Sequence, residues 1–90
     1  MAAENKLEDY LRERVRKLKG EIRKVKWIGR RGAPDDMVWI PGWWKAKLAE
    51  MKAPGEPLKA HQKREHKRLK RMGFEVFKLD SKKDIDKFLK

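Results

Sequence analysis

The stretch Trp43-Trp44-Lys45-Ala46-Lys47-Leu48-Ala49-Glu50-Met51-Lys52, closed by Ala53-Pro54-Gly55-Glu56-Pro57, decides how this chain is read. Its first ten residues predict a strand, and the Pro/Gly run after them stops it. Side chains alternate along a strand, so Trp44, Ala46, Leu48, Glu50 and Lys52 share one face. An acid on the apolar side of a sheet is costly unless a cation compensates it. Glu50 and Lys52 are therefore candidates for chemistry. The ordinary alternative is an exposed, salt-bridged strand edge, in a chain with 44% charged residues.

Upstream, Met37 to Ile40 is a second strand of strong β formers, and Pro41-Gly42 is a turn. Gly29 to Pro34 is a loop rich in breakers, and Ile22 to Trp27 is a strand with imperfect alternation. Asn5 to Lys19 reads as a helix whose stripe is Leu7, Tyr10, Leu11, Val15 and Leu18, with Gly20 ending it. Downstream, Leu58 to Met72 forms a helix on Leu58, His61, Glu65, Leu69 and Met72, capped by Gly73. Phe74, Val76, Phe77 and Leu79 mark a fourth strand. Ser81 with Asp84 starts a short C-terminal helix carrying Ile85, Phe88 and Leu89. The order is α-β-β-β-α-β-α. A helix between strands three and four makes them parallel with a right-handed crossover. The short connections before them favour antiparallel neighbours. The expectation is one α/β domain over 1–90, a four-stranded mixed sheet flanked by helices.

With 90 residues the core is thin, and domains of this size often lean on a partner subunit or a metal. There is no cysteine, which removes disulfides and every thiolate-based site. Lys and Arg number 26 against 14 Asp and Glu, a net charge of +12. Such a field suits nucleic acid or an anionic membrane. No stretch approaches the roughly 20 apolar residues of a spanning helix. The N-terminal residues hold no apolar signal core, and no basic helix carries a large apolar face. The expectation is an intracellular protein that meets nucleic acid and no membrane.

Two more acids stand where chemistry is plausible. Asp35 follows Pro34 at the mouth of the second strand. Glu8, at the edge of the first helix's stripe, can point at the strand ends; Glu4 lies near the same face and could take its place. Three converging carboxylates without His or Cys suit Mg²⁺ or Mn²⁺. A neighbouring lysine completes a site for phosphodiester hydrolysis. His61 and His66 stand about 140° apart on a helix and cannot share an ion, so both read as core-edge or surface residues. The basic run Lys63, Arg64, Lys67, Arg68, Lys70 and Arg71 is either a solvated face or a phosphate-contacting one. Within it Lys63, Arg64 and Lys67 lie closest to Gln62, and Arg30 and Arg31, just before Pro34-Asp35, are placed to grip a backbone at the cut. Trp27 and Trp39 are expected in the core. Trp43 and Trp44, adjacent on a strand, must face opposite sides, so one of them should meet a partner.

Gly32-Ala33-Pro34-Asp35, then Glu50-Met51-Lys52-Ala53-Pro54-Gly55, then Gln62, resemble the signature of VRR-NUC nucleases, in the PD-(D/E)xK superfamily. The resemblance covers nearly the whole chain. It implies a restriction-endonuclease-like αβββαβ core and a Mg²⁺- or Mn²⁺-dependent deoxyribonuclease. It implies Asp35, Glu50 and the Met51 carbonyl as metal ligands, with Glu8 reaching the metal directly or through water. Lys52 would be the catalytic lysine, and Gln62 would brace Lys52 or the scissile phosphate. Asp36 stands where many relatives carry a basic or neutral residue, which bears on local DNA contacts. Small relatives imply a homodimer cutting branched DNA such as Holliday junctions, in the cytoplasm of a bacterial or phage-infected cell. The competing reading is a non-catalytic basic nucleic-acid-binding domain. Such a binder gains nothing from Asp35 and Glu50 where a phosphate would sit.

Overall fold

Leu7, Leu11 and Val15, spaced four residues apart, put one buried stripe on α1 (Ala2–Lys17). That stripe packs on the first face of a sheet built from β1 (Glu21–Lys24), β2 (Asp36–Trp39), β3 (Lys47–Met51) and β4 (Val76–Leu79). α2 (Ala60–Arg71) connects β3 to β4, and α3 (Lys82–Phe88) follows β4. These elements belong to a computed structural model that describes residues 2–90, with side chains from Asn5 onward.

The strand order is β1-β2-β3-β4. The first two pairings are antiparallel and β3–β4 is parallel. This is the expected mixed sheet, with the crossover helix where the β3–α2–β4 pattern required one. Alternation then sorts the strand residues. Val38, Ile40, Ala49, Met51 and Leu79 join α1 and the Ile85, Phe88 and Leu89 side chains in the main core. Leu48 and Val76 turn to the opposite face, where Leu69 of α2 covers them with Trp27 and Met37 at the rim. Fully burying a side chain such as Leu11 contributes about 1.5–3 kcal/mol, so most of the stability sits on the α1/α3 face. The α2 face is thinner.

Several local expectations change. β3 begins at Lys47, and the chain bends at Trp44 and Lys45, which frees the two tryptophans from strict alternation. Trp43 packs edge-on against Phe88, with ring centroids 5.9 Å apart, while Trp44 is 89% exposed. Trp39 is 41% exposed and does not fill the core. It projects to the α2 face, but α2 packs against Leu48 and Val76 and leaves the β1–β2 half of that face uncovered. At the end of α1 the left-handed residue is Lys19, with φ 64°, and not Gly20. Lys19 N–H donates to Arg16 O at 3.0 Å and Gly20 N–H to Val15 O at 2.9 Å, the paired bonds that close a helix C-terminus. Gly20 is small for another reason: a Cβ there would lie 2.3 Å from the Trp39 carbonyl. Ser81 behaves as expected, its hydroxyl accepting from Asp84 N–H at 3.0 Å.

Candidate active site

β2 and β3 pair Asp36 with Ala49, Met37 with Leu48 and Val38 with Lys47. Carried one step further, that register faces Asp35 toward Glu50. The Val25 N–H bond to Asp35 O, at 2.7 Å, carries the β1–β2 register as far as Asp35, where the chain bends and the side chain is exposed. Alternation along β2 and β3 turns Asp36 to α1 and puts Glu50 and Lys52 on the α2 face. Even-numbered residues of β3 give their backbone groups to β4, as in Leu48 N–H to Glu75 O and Lys52 N–H to Leu79 O. Met51 therefore turns its carbonyl toward β2, where pairing has already ended at Ala49.

Glu50 is only 4% exposed. Among the described residues its single ionic partner is His66, also 4% exposed, whose Nε2 lies 3.3 Å from Glu50 Oε1. Lys52 is buried beside it, its Nζ 3.9 Å from Glu56 Oε2. Glu56 reaches that point because Ala53-Pro54-Gly55-Glu56 is a tight turn. Glu56 N–H bonds Ala53 O at 2.9 Å, and Gly55 takes φ 78° at the corner. The Glu56 side chain also accepts from Ala53 N–H at 3.1 Å. Lys78 is beside Glu50 in the parallel register, but its amine is drawn away to Glu56 O at 3.2 Å and Asp80 at 3.3 Å.

The loop before β2 is pressed onto the start of α2. A Cβ on Gly32, whose φ is +80°, would lie 2.6 Å from His61 O and 2.9 Å from Gln62 Cα. Arg30 clamps the same loop by donating from Nη2 to Glu65 Oε1 at 2.9 Å. That bond is the main reason the buried Glu65 carboxyl titrates below its ordinary value; Arg68 adds to it. Trp27 Nε1–H closes the loop on Pro34 O at 2.8 Å. Gln62 is thus brought to the loop that carries Asp35. Its own carbonyl oxygen accepts from Lys59 N–H at 2.8 Å and caps α2, leaving only the NH₂ for another partner. Arg31, Lys59, Arg64 and Lys52 surround His61; partial burial first, then these cations, hold its pKa below the usual histidine value.

Glu8 does not join this group. It pairs with Arg12 at 3.1 Å and with Lys24 at 3.3 Å, on the α1 face. Lys24 also reaches Asp36, at 3.2 Å. Asp36 is fully buried, and burial first and the Glu8 carboxyl second push its pKa up to about 7. No three acidic or histidine side chains among the described residues assemble as a ligand set, so the expected convergence of Glu8 with Asp35 and Glu50 is absent. The Glu4 side chain lies outside the described residues. What remains is the buried Glu50 on the α2 face, the exposed Asp35 at the mouth of β2, and the Met51 carbonyl turned toward β2. This all-oxygen set fits Mg²⁺, which usually takes one or two carboxylates and keeps several waters. Glu50, buried and without a lysine or arginine ion pair among the described residues, is the observation in favour of a cation there.

Sequence reasoning missed His66, Glu56 and Glu65. His66 was readable as the i+4 neighbour of Gln62, on the stripe that ends at Leu69. Glu65 lay on the predicted stripe but had no partner in view until the Arg30 loop folded back.

No family model matches the chain. A curated relative, "Putative nuclease p44" of Acyrthosiphon pisum secondary endosymbiont phage 1, is 44% identical over 78 residues, covering 87% of this chain and 83% of the relative. A solved structure described as a VRR_NUC domain is 34% identical, superposes with a TM-score of 0.86, and matches 99% of this chain and 96% of its own. With that likeness running through both halves of the site and the whole sheet, the chain belongs to the VRR-NUC family of nucleases, in the PD-(D/E)xK superfamily.

Proposed function

We propose that this protein is a metal-dependent endonuclease that hydrolyses internal DNA phosphodiesters, with branched DNA such as a four-way Holliday junction as its substrate. The observation that supports the reading is the β2–β3 register: continued one residue beyond the Asp36–Ala49 pair it would bring Asp35 toward Glu50, and Lys52 is next on Glu50's face. Asp35, Glu50 and the Met51 carbonyl would hold Mg²⁺ or Mn²⁺, and the ion would supply charge neutralisation at the scissile phosphate and a more acidic water. Lys52 orients the attacking water, accepts or relays its proton, and offsets the charge that grows on the phosphoryl oxygens. Gln62 braces the phosphate or Lys52 through its remaining NH₂.

DNA is held by its backbone. Arg31 and Arg64 lie around His61, at the cut. Lys63, Lys67 and Lys70 line a cavity of about 250 Å³ between α2 and β4, with His66 at its floor. Contacts of this kind are sequence-neutral and weaken with salt. Arg30 is engaged with Glu65, so its role in binding is to fix the loop as well as to add charge. The working form in this reading is a two-fold homodimer, which sets two sites on opposite strands of a junction. Two copies of charge +12 repel except where both are apolar. Met72 and Phe74, exposed at a 230 Å³ groove that Met37, Leu48 and Lys45 also line, offer such a patch, and the exposed Trp44 precedes Lys45 in the chain. Among the described residues no helix is long and apolar enough to cross a membrane, and the setting we propose is the cytoplasm of a bacterial or phage-infected cell.

The test is cleavage of a labelled four-way junction and of linear duplex with Mg²⁺, with Mn²⁺ and with EDTA. Paired incisions in the junction with either metal, and none in EDTA, are expected. Binding without cutting under every condition would overturn the reading in favour of a non-catalytic binder.

A further inference from the structure

We propose that His66 is the positioning residue for Glu50: its Nε2–H holds one carboxylate oxygen, so that the other is presented to the divalent cation. The inference rests on the metal-site reading above and extends it to a residue on α2.

Three observations carry it. Both residues are 4% exposed and their side chains meet at 3.3 Å, Nε2 to Oε1, so the contact is buried. The lysines around Glu50 do not satisfy it. Lys78, its β4 neighbour, is turned to Glu56 O and Asp80, and the Lys52 amine leans toward Glu56. The ring is also fixed from its own helix. Leu69, one turn on, is in the core with Leu48 and Val76, and the preceding Glu65 is clamped by Arg30 and Arg68. His66 therefore sits on a stretch of α2 that is anchored on both sides of it.

The chemistry explains why an imidazole suits this place. A buried carboxylate needs a hydrogen-bond donor, or its burial is costly. A lysine or arginine would satisfy it by neutralising it, and would compete with the metal. An imidazole carrying its proton on Nε2 donates one hydrogen bond and leaves the carboxylate's charge for the cation. Losing such a donor behind a metal ligand typically weakens metal binding about 10–100-fold.

The experiment is a Mn²⁺ titration of the full chain, read by the loss of free-ion electron paramagnetic resonance signal, for wild type, His66→Phe, His66→Gln and His66→Asn. Circular dichroism and melting curves accompany each variant. Phe keeps the ring volume and removes the donor, so Mn²⁺ affinity should fall about 10–100-fold. Junction cleavage by that variant should recover when Mn²⁺ is raised to saturation. Gln, long enough to donate to Oε1, should bind nearly as wild type, whereas Asn is too short and should bind as Phe does. If Phe does not fold, the Gln–Asn contrast decides by the same rule. Equal affinity for wild type and the Phe variant, or for Gln and Asn, would overturn the proposal and leave the metal site standing. A wild-type protein that takes up no Mn²⁺ would remove the metal site itself, and both claims with it.

Discussion

Gly32 offers a direct way to weigh the contact that assembles the site. Its φ of +80° is disfavoured for any residue with a Cβ, and that Cβ would sit 2.6 Å from His61 O and 2.9 Å from Gln62 Cα. Gly29 has nearly the same backbone angle, φ +81°, but nothing within 4 Å of its Cβ position. Gly29→Ala thus carries the conformational cost alone, roughly 1–2 kcal/mol. Gly32→Ala carries that cost and also an overlap with backbone atoms of α2, which cannot be relieved by a side-chain rotation. Forced overpacking of this kind costs about 1–3 kcal/mol. The sum for Gly32→Ala is roughly 2–5 kcal/mol, against roughly 1–2 for Gly29→Ala. In a domain of this size each kcal/mol moves Tm by about 4–8 °C, so the two variants are separable by urea or thermal unfolding followed through tryptophan fluorescence. Relief of the overlap moves the loop from α2 and carries Asp35 away from Gln62, so Gly32→Ala should also lose junction cleavage while Gly29→Ala keeps it. Equal destabilisation by the two substitutions, or full cleavage by a folded Gly32→Ala variant, would refute the idea that this loop is seated on α2.

Two further outcomes follow from the opposite face and from the exposed patch. Burial and Glu8 raise the Asp36 pKa to about 7 from an ordinary 3.8, so in that interval the folded state holds a proton that the unfolded chain has released. Its contribution is full below the ordinary carboxylate range and is lost as pH rises toward about 7. Asp36→Asn should therefore stabilise the protein more at pH 8 than at pH 4, by up to a few kcal/mol in urea unfolding; a gain independent of pH would count against it. If the chain pairs as proposed, Trp44→Glu should yield monomers of 10.8 kDa in sedimentation with little change in Tm, because Trp44 is 89% exposed; a wild type already monomeric with junction DNA bound rules out the paired-site resolvase.

The sheet was legible because its signals are local and agree with one another. β-branched and aromatic runs, a helix flanked by two strands, and Pro/Gly punctuation at Pro41-Gly42 and Pro54-Gly55 leave few topologies. The placement of Glu50 and Lys52 was legible for a similar reason: alternation puts both on one face, and the expected antiparallel β2–β3 pairing sets the mouth of β2, where Asp35 lies, beside them. Residues whose neighbours are fixed only by packing were harder. Glu8 has the spacing to point at the strand ends, but Lys24 on β1 and Arg12 one turn along α1 hold it on the α1 face. Asp36 was noted only for its departure from relatives; its burial against α1 beside Glu8 and Lys24 came from packing. Trp39 has a core residue's composition, yet α2 covers only the β3–β4 half of its face. Glu56 and His66 matter through a turn and a helix position that no local pattern marks as functional.

The adjacent acids give the most direct test of where the chemistry lies. Asp35→Asn, Asp36→Asn and Lys52→Ala should be compared with wild type for cleavage of a labelled four-way junction in Mg²⁺ and Mn²⁺, with junction affinity measured separately in EDTA. Asp35→Asn and Lys52→Ala should abolish cleavage and bind junction nearly as wild type, since affinity comes from the basic surface. Asp36→Asn, facing α1, should cut. A cutting Asp35→Asn variant beside an inactive but folded Asp36→Asn variant would contradict the assignment of the site to the α2 face.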